Sequence, residues 1–281
     1  MCEFFDHLKD PAKRGGILGR FFLNMGDHFK SRLQRHARNE LEYYRCSADN
    51  RASYARLKPN PHYKNTLDME LINCDADGTN PGGDDLEPVF YLPYMQNRLT
   101  RMNLKAPRRW NGPPIQVFAT ATINGCSVFI EGDPGRPKAT HANAQQVQPT
   151  LRQDSFEEKQ PKIQAKIQSM NESYDTLRTK TGAKAVHRPN YMIEAPNLVT
   201  ARKQELANGL HIPVEQVHDF IPVGSAIGIR SSDTDNWTFF YQRCVSFSYT
   251  NIVGKYKSGH KVLDFGEFWP NGTGSIIPDP V

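Results

Sequence analysis

The sequence predicts an α+β protein with a mixed or antiparallel β-sandwich core and flanking helices. Three observations carry this expectation. Strand-like segments between residues 66 and 142 are followed by helical spacing at 155–208 and by strands again from 220. The stretch Gln116 to His141, QVFATATINGCSVFIEGDPGRPKATH, reads as three short strands joined by two turns. Two longer runs, 220–230 and 237–250, flank the polar turn Ser231 to Asn236.

Residues 1–16 read as a short helical or irregular lead-in. From Ile17 to about Cys46 the spacing predicts an amphipathic helix. Phe21, Met25, Phe29, Leu33, Ala37 and Leu41 recur every fourth residue, with Leu18, Phe22 and Tyr44 beside them. Lys30, Arg32, Arg35, Arg38 and Arg45 form its basic remainder. Such a helix either presents a surface to an anionic membrane or partner, or packs on its own domain with a solvated basic face. Ser47 to Asn65, with Pro59 and Pro61, reads as linker. The expected division is therefore residues 1–60 as helical extension and linker, and 61–281 as the main domain.

Thr66 to Cys74 alternates as a strand should. Asp75 to Asp85 reads as a turn rather than a calcium loop. Asn80 stands where such a loop needs glycine, and Leu86 where it needs a bidentate glutamate. Glu87 to Tyr94 is an aromatic strand broken by Pro93. Residues 97–114, carrying Arg98, Arg101, Lys105, Arg108 and Arg109, read as a basic surface loop. After the 115–142 strands, a polar connection leads to a helix from Ser155 to about Lys180. Ile163, Ile167, Met170, Tyr174 and Leu177 share one of its faces, and Pro161 lies near its start. A second helix is expected from an N-cap at Thr200 to Asn208, ended by Gly209. In the 237–250 strand, Phe239, Tyr241, Val245, Phe247 and Tyr249 share a face that should be buried, with Cys244 on the other. A short strand near Lys261 to Phe265 precedes a glycine- and proline-rich tail.

With 281 residues the chain can bury a substantial core. A net charge of +5 is mild for this length and gives no argument for nucleic acid. The five cysteines are scattered without a C-x-x-C, which points away from a disulfide framework or zinc site and toward a reducing compartment. No run is long and apolar enough for a transmembrane helix. The N-terminal residues lack a signal-peptide pattern, so export or translocation would proceed without a conventional leader.

Most familiar site motifs are absent. Neither G-x-x-x-x-G-K nor G-x-G-x-x-G occurs, Gly224 to Gly228 is not G-x-S-x-G, and the nine histidines show no metal-ligand spacing. Cys126 and His141 remain. If Gly132-Asp133-Pro134-Gly135 closes a hairpin between Glu131 and Arg136, opposed residue numbers sum to 267. Cys126 and His141 would then lie directly across from each other on one face. That is a separation at which a histidine can deprotonate a thiol. Asn124 and Gly125 allow a sharp bend with N–H groups turned toward an oxyanion. The alternative is a buried core cysteine beside an exposed strand histidine.

At these residues the sequence resembles the bacterial glutamine-deamidating toxins, especially Burkholderia lethal factor. It is more distantly similar to the catalytic domain of cytotoxic necrotizing factor and to the chemoreceptor glutamine deamidase. Val89-Phe90-Tyr91-Leu92-Pro93-Tyr94 looks like the lethal factor's aromatic strand. Phe118-Ala119-Thr120 through Asn124-Gly125-Cys126-Ser127-Val128-Phe129 looks like its nucleophile segment, and Glu131-Gly132-Asp133 to Thr140-His141 like its turn and catalytic histidine. The family often has Leu-Ser-Gly-Cys where this chain has Ile123-Asn124-Gly125-Cys126.

The resemblance implies a deamidase-toxin-like fold over 61–281, with catalytic Cys126, His141 and Thr120, and backbone support for the oxyanion at Gly125. A tight hairpin at Asn124-Gly125 would place Thr120 on the face opposite Cys126, so its family role of orienting the histidine requires a wider bend there. The expected activity is conversion of a target protein's glutamine to glutamate through a thioester, without cofactor or metal. The implied setting is a secreted or translocated effector in a target cell's cytosol. The likeness to lethal factor points to a translation-initiation RNA helicase as target, and that to necrotizing factor to Rho-family GTPases. A related cysteine hydrolase or transglutaminase would use the same pair of residues. A non-enzymatic interaction protein would instead work through its basic N-terminal helix.

Overall fold

The computed structural model describes residues 3–25, 52–72, 78–93, 98–106, 108–124, 126–143, 184–186 and 196–272, with five helical positions between 172 and 179. Two short helices open the chain, α1 (Glu3–Lys9) and α2 (Pro11–Arg20). Asp10 caps α2 by accepting the Ala12 N–H at 2.9 Å, and Pro11 supplies a first-turn φ already suited to a helix. The strands are β1 (Phe22–Asn24), β2 (Ala52–Pro59), β3 (Tyr63–Lys64), β4 (Thr66–Ile72), β5 (Glu87–Leu92), β6 (Arg98–Asn103), β7 (Val117–Thr120), β8 (Ser127–Glu131), β9 (Lys138–Asn143) and β10 (Lys184–Val186). Helix α3 (Pro196–Leu210) then leads to three long strands, β11 (Val217–Arg230), β12 (Trp237–Thr250) and β13 (Tyr256–Trp269).

These strands form two sheets. The larger has nine strands in the order β1-β4-β2-β5-β7-β11-β12-β13-β3, with parallel pairs at β1–β4, β5–β7 and β13–β3. The smaller is antiparallel, in the order β10-β8-β9-β6. The protein is thus mixed α and β, dominated by sheet.

Strand periodicity explains how the layers meet. Along β5, Val89 and Tyr91 join a core with Phe5, Leu8 and Leu18 of the helices, whereas Phe90 and Leu92 face the small sheet. Strand β7 repeats the division, with Val117 and Ala119 on the helix side and Phe118 on the other. A strand buried on both faces needs a nearly continuous apolar run, as VFYL and VFA supply. Phe118, Phe239 and Trp237 meet Val128, Ile130 and Met102 of the small sheet in the central core. Gly228 permits the Phe118–Phe239 contact, because a Cβ there would lie 2.8 Å from the Phe239 ring. Among the described residues, no helix is long and apolar enough to cross a membrane.

Four sequence expectations are corrected. The helix from Ile17 stops at Arg20. Phe22 and Leu23, both buried, become a strand because pairing with Thr66 and Leu67 of β4 outweighs the four-residue spacing. Residues 26–46 of that expected helix lie outside the described residues. The linker at 47–65 contains β2, held between β4 and β5. The basic loop at 97–114 contains β6, where Thr100 and Met102 turn inward while Arg101 stays exposed. Helix α3 begins at Pro196 rather than after Thr200. It passes Gly209 and ends where His211 takes a positive φ of 55° and Ile212 N–H bonds the Ala207 carbonyl. The expected helix at 155–180 lies largely outside the described residues, although Asp175, Thr176 and Leu177 are helical.

One buried side chain fastens the N-terminal segment to the large sheet. Gln242 on β12 is fully buried, and its Nε2 donates to the Leu18 and Phe21 carbonyls, both at 2.7 Å. Its Oε1 accepts from the Leu23 N–H at 3.1 Å and from Ser225 Oγ at 2.9 Å. Removing the amide leaves several of these groups buried without that partner, at a cost of roughly 1–3 kcal/mol each. Q242L should therefore lower unfolding free energy by about 3 kcal/mol or more in urea denaturation, whereas Q204L at an exposed position of α3 should change it by under about 0.5 kcal/mol.

Candidate active site between the two sheets

The candidate site forms where the chain leaves one sheet and enters the other. Strand β7 ends at Thr120 beside Leu92 of β5. The Leu92 carbonyl accepts the Ala121 N–H at 3.2 Å. Ile123 then pairs with Gly224 of β11 through two backbone hydrogen bonds of 2.7 and 2.8 Å. Asn124 is exposed, and Cys126 stands just before β8 of the small sheet. The tight hairpin considered at Asn124-Gly125 does not form, since β7 and β8 belong to different sheets. This wider passage lets Thr120 face the small sheet. Gly125 itself lies outside the described residues.

The β8–β9 register also differs from the expected one. Glu131 pairs with Lys138 and Val128 with His141, so opposed numbers sum to 269 rather than 267. The turn spans Asp133 to Arg136, closed by the Arg136 N–H on the Asp133 carbonyl at 2.9 Å. Asp133 Oδ1 also accepts the Gly135 N–H at 2.8 Å. Pro137 has no N–H to donate to a ladder, which places the first pair after it. A displacement of two residues preserves side-chain parity. Continued one residue before β8, the register sets Cys126 on the His141 face at a diagonal position, roughly 7–8 Å away in an antiparallel sheet.

His141 is completely buried on β9, flanked by Val128 of β8 and Thr100 of β6. Its Nδ1 lies 2.7 Å from Thr120 Oγ1. Thr120 is also completely buried and donates its hydroxyl to the Leu92 carbonyl at 2.8 Å. A hydroxyl has one proton, so with that proton on Leu92 the oxygen must accept from Nδ1–H. This chain of bonds selects the Nδ1–H tautomer and leaves the lone pair on Nε2, the form required of a base acting through Nε2. Thr100 steadies the same region by donating to the Pro93 carbonyl at 2.7 Å, with the His141 carbonyl 3.4 Å from its Oγ1.

Cys126 is 4% exposed, and its Sγ lies 4.0 Å from the Asn124 carbonyl oxygen. The structure thus brings Thr120 onto His141 and sets Cys126 on the histidine's face of the small sheet. Neither Thr100 nor the Leu92 carbonyl is signalled by the sequence. Thr100 sits in a segment whose charges suggest a loop, and a backbone carbonyl leaves no signature in residue type. Among the described residues, no group of three or more His, Cys, Asp or Glu is placed to hold a metal ion.

Burial lowers the His141 pKa to about 3, because a charged imidazolium would lose its water. The ring is consequently neutral at neutral pH, and burial makes it a weaker base than a solvated imidazole.

No family model matches this chain, and no curated protein matches it. Among solved structures, it is similar to the C-terminal domain of CNFy from Yersinia pseudotuberculosis, with 10% identity and a TM-score of 0.27 over 77% of this chain and 86% of that one. The likeness is loose, and no residue assignment rests on it.

The buried histidine gives a signed pH prediction. An unfolded histidine binds its proton near pH 6.5, whereas His141 does so near 3 and His260, also buried, near 4. Between those limits the unfolded chain holds more protons, so stability falls as pH falls and this contribution is fully present above about 6.5. Each histidine contributes a slope of up to about 1.4 kcal/mol per pH unit. Urea titrations from pH 7.5 to 4.5 should show a shallower acid loss for H141N and H260N than for the wild type.

Proposed function

We propose that this chain is a cysteine-dependent protein-glutamine deamidase, a secreted or translocated bacterial effector or toxin acting inside a target cell. The observation that carries this reading is the buried Leu92–Thr120–His141 hydrogen-bond chain, with buried Cys126 just before β8 of the sheet that holds His141. By resemblance, Thr120, Cys126 and His141 stand in the order in which the glutamine-deamidating toxins carry threonine, cysteine and histidine. The two sheets with flanking helices are consistent with a deamidase-toxin-like β-sandwich.

In this reading, His141 Nε2 takes the Cys126 thiol proton as Sγ attacks the carboxamide carbon of a glutamine. The imidazolium forms together with the thiolate, which offsets its desolvation. Backbone N–H groups at Gly125 and Cys126 hold the tetrahedral oxyanion. His141 passes the proton to the leaving nitrogen, the C–N bond breaks, and ammonia departs. Water then attacks the thioester while His141 takes one of its protons. The C–S bond breaks, Cys126 regains that proton, and the net change is glutamine plus water to glutamate plus ammonia. The chemistry needs neither metal nor cofactor. Thr120 is a positioning residue that holds the histidine tautomer.

The product adds a negative charge at the modified position, enough to disrupt a contact or catalytic glutamine in the target. By resemblance, the target is a translation-initiation RNA helicase or a Rho-family GTPase. Peptide mass analysis of target-cell lysate treated with wild-type or C126S protein tests the reading. The expected result is a Gln-to-Glu change at defined sites with wild type and a loss of at least about a hundredfold with C126S. Cleavage or an amine adduct would instead indicate the related hydrolase or transglutaminase. A full biological effect from C126S would favour an interaction protein.

A further inference from the structure

The hairpin joining β12 to β13 ends in two exposed aliphatic side chains. Ile252 is 81% exposed and Val253 67%, while the nearby Tyr256 is 61% exposed. Two large aliphatics at such a tip contrast with the polar residues that usually make turns.

The turn is well ordered by its own hydrogen bonds. The Asn251 N–H donates to the Lys255 carbonyl at 2.9 Å, and the Gly254 N–H to the Asn251 carbonyl at 2.8 Å. Asn251 Oδ1 also accepts the Val253 and Lys255 N–H groups at 3.2 and 2.8 Å. Gly254 adopts the positive φ of 74° that the tight tip requires. The apolar residues are therefore held outward by a built turn, whose hydrogen bonds do not depend on isoleucine or valine side chains.

The flanks of the tip are basic and aromatic. Lys255 and Lys257 are exposed on the hairpin, and Lys64 is exposed on β3, which pairs with β13 at Ser258 and Gly259. These three lysines make no ion pair among the described residues. Tyr256 stacks on His218 with ring centroids 5.9 Å apart and donates to Asp219 at 3.1 Å. Asp219, which also bonds Ser248, is the acidic group at this base.

We infer that this hairpin tip is a membrane-contact element for a bilayer containing anionic lipid. Ile252 and Val253 enter the headgroup–acyl boundary, Tyr256 occupies the interface, and Lys64, Lys255 and Lys257 meet lipid phosphates. Exposed aliphatic residues at the tip with lysines along its β13 side have the charge complementarity for such a surface. This contact does not use Cys126 or His141, so its test is independent of the proposed deamidation.

Sedimentation of the full chain with phosphatidylcholine vesicles, with and without phosphatidylserine, tests the inference. Binding should require phosphatidylserine and weaken as salt rises. I252S/V253S should reduce partitioning by about tenfold or more, and K255E/K257E should remove the phosphatidylserine dependence. Circular dichroism should show that both variants keep the wild-type fold, as expected for exposed turn positions. Absence of wild-type binding, or equal binding by wild type and I252S/V253S, overturns the proposal. Tip-dependent association with a soluble protein, without vesicle binding, also overturns it.

Discussion

The Thr120–His141 hydrogen bond ties the two sheets together. Thr120 belongs to the large sheet and His141 to the small one, yet their side chains meet at 2.7 Å. The contact requires Phe118, Phe90 and Ile130 to pack the intervening core at a fixed separation, since a buried hydroxyl–imidazole pair tolerates little displacement. Leu92 supplies the acceptor that gives the bond its direction. A side chain from each layer and a carbonyl from a neighbouring strand thereby decide which ring nitrogen bears the proton.

The face shared by Cys126 and His141 was legible in sequence because strand parity survives a displacement of two residues. The register itself was not. The Asp133–Arg136 turn was visible as a glycine–proline signal, but Pro137 moved the first ladder pair beyond it. Thr120 is legible only through family likeness, because the residues at Asn124-Gly125 allow either a tight hairpin or a wider bend. Its position depends on pairing β7 with β5 and β11 rather than with β8. Such long-range choices leave no short-range pattern.

Elsewhere, long-range strand pairing overrides local periodicity and charge. Phe21, Phe22 and Met25 satisfied a helical spacing, but parallel pairing of β1 with β4 gives Phe22 and Leu23 buried places in a strand. Arginines at 98 and 101 suggested a loop, although alternating Thr100 and Met102 provide the inward face of β6. The long strands β11 and β12 were easier to read, because extended alternation and the polar turn between them acted together. Charge and short periodicity describe a segment's surface; its sheet neighbours determine whether that surface becomes a strand.

We propose that His141, held by Thr120, activates Cys126. The most direct measurement is the rate of Cys126 alkylation by iodoacetamide in the native protein, followed by peptide mass mapping so that the other cysteines are counted separately. Reaction at Cys126 is expected in wild type, with a fall of about a hundredfold in H141N and an intermediate rate in T120V. Equal rates in wild type and H141N, or no reaction at Cys126 in the folded wild type, would contradict the proposal.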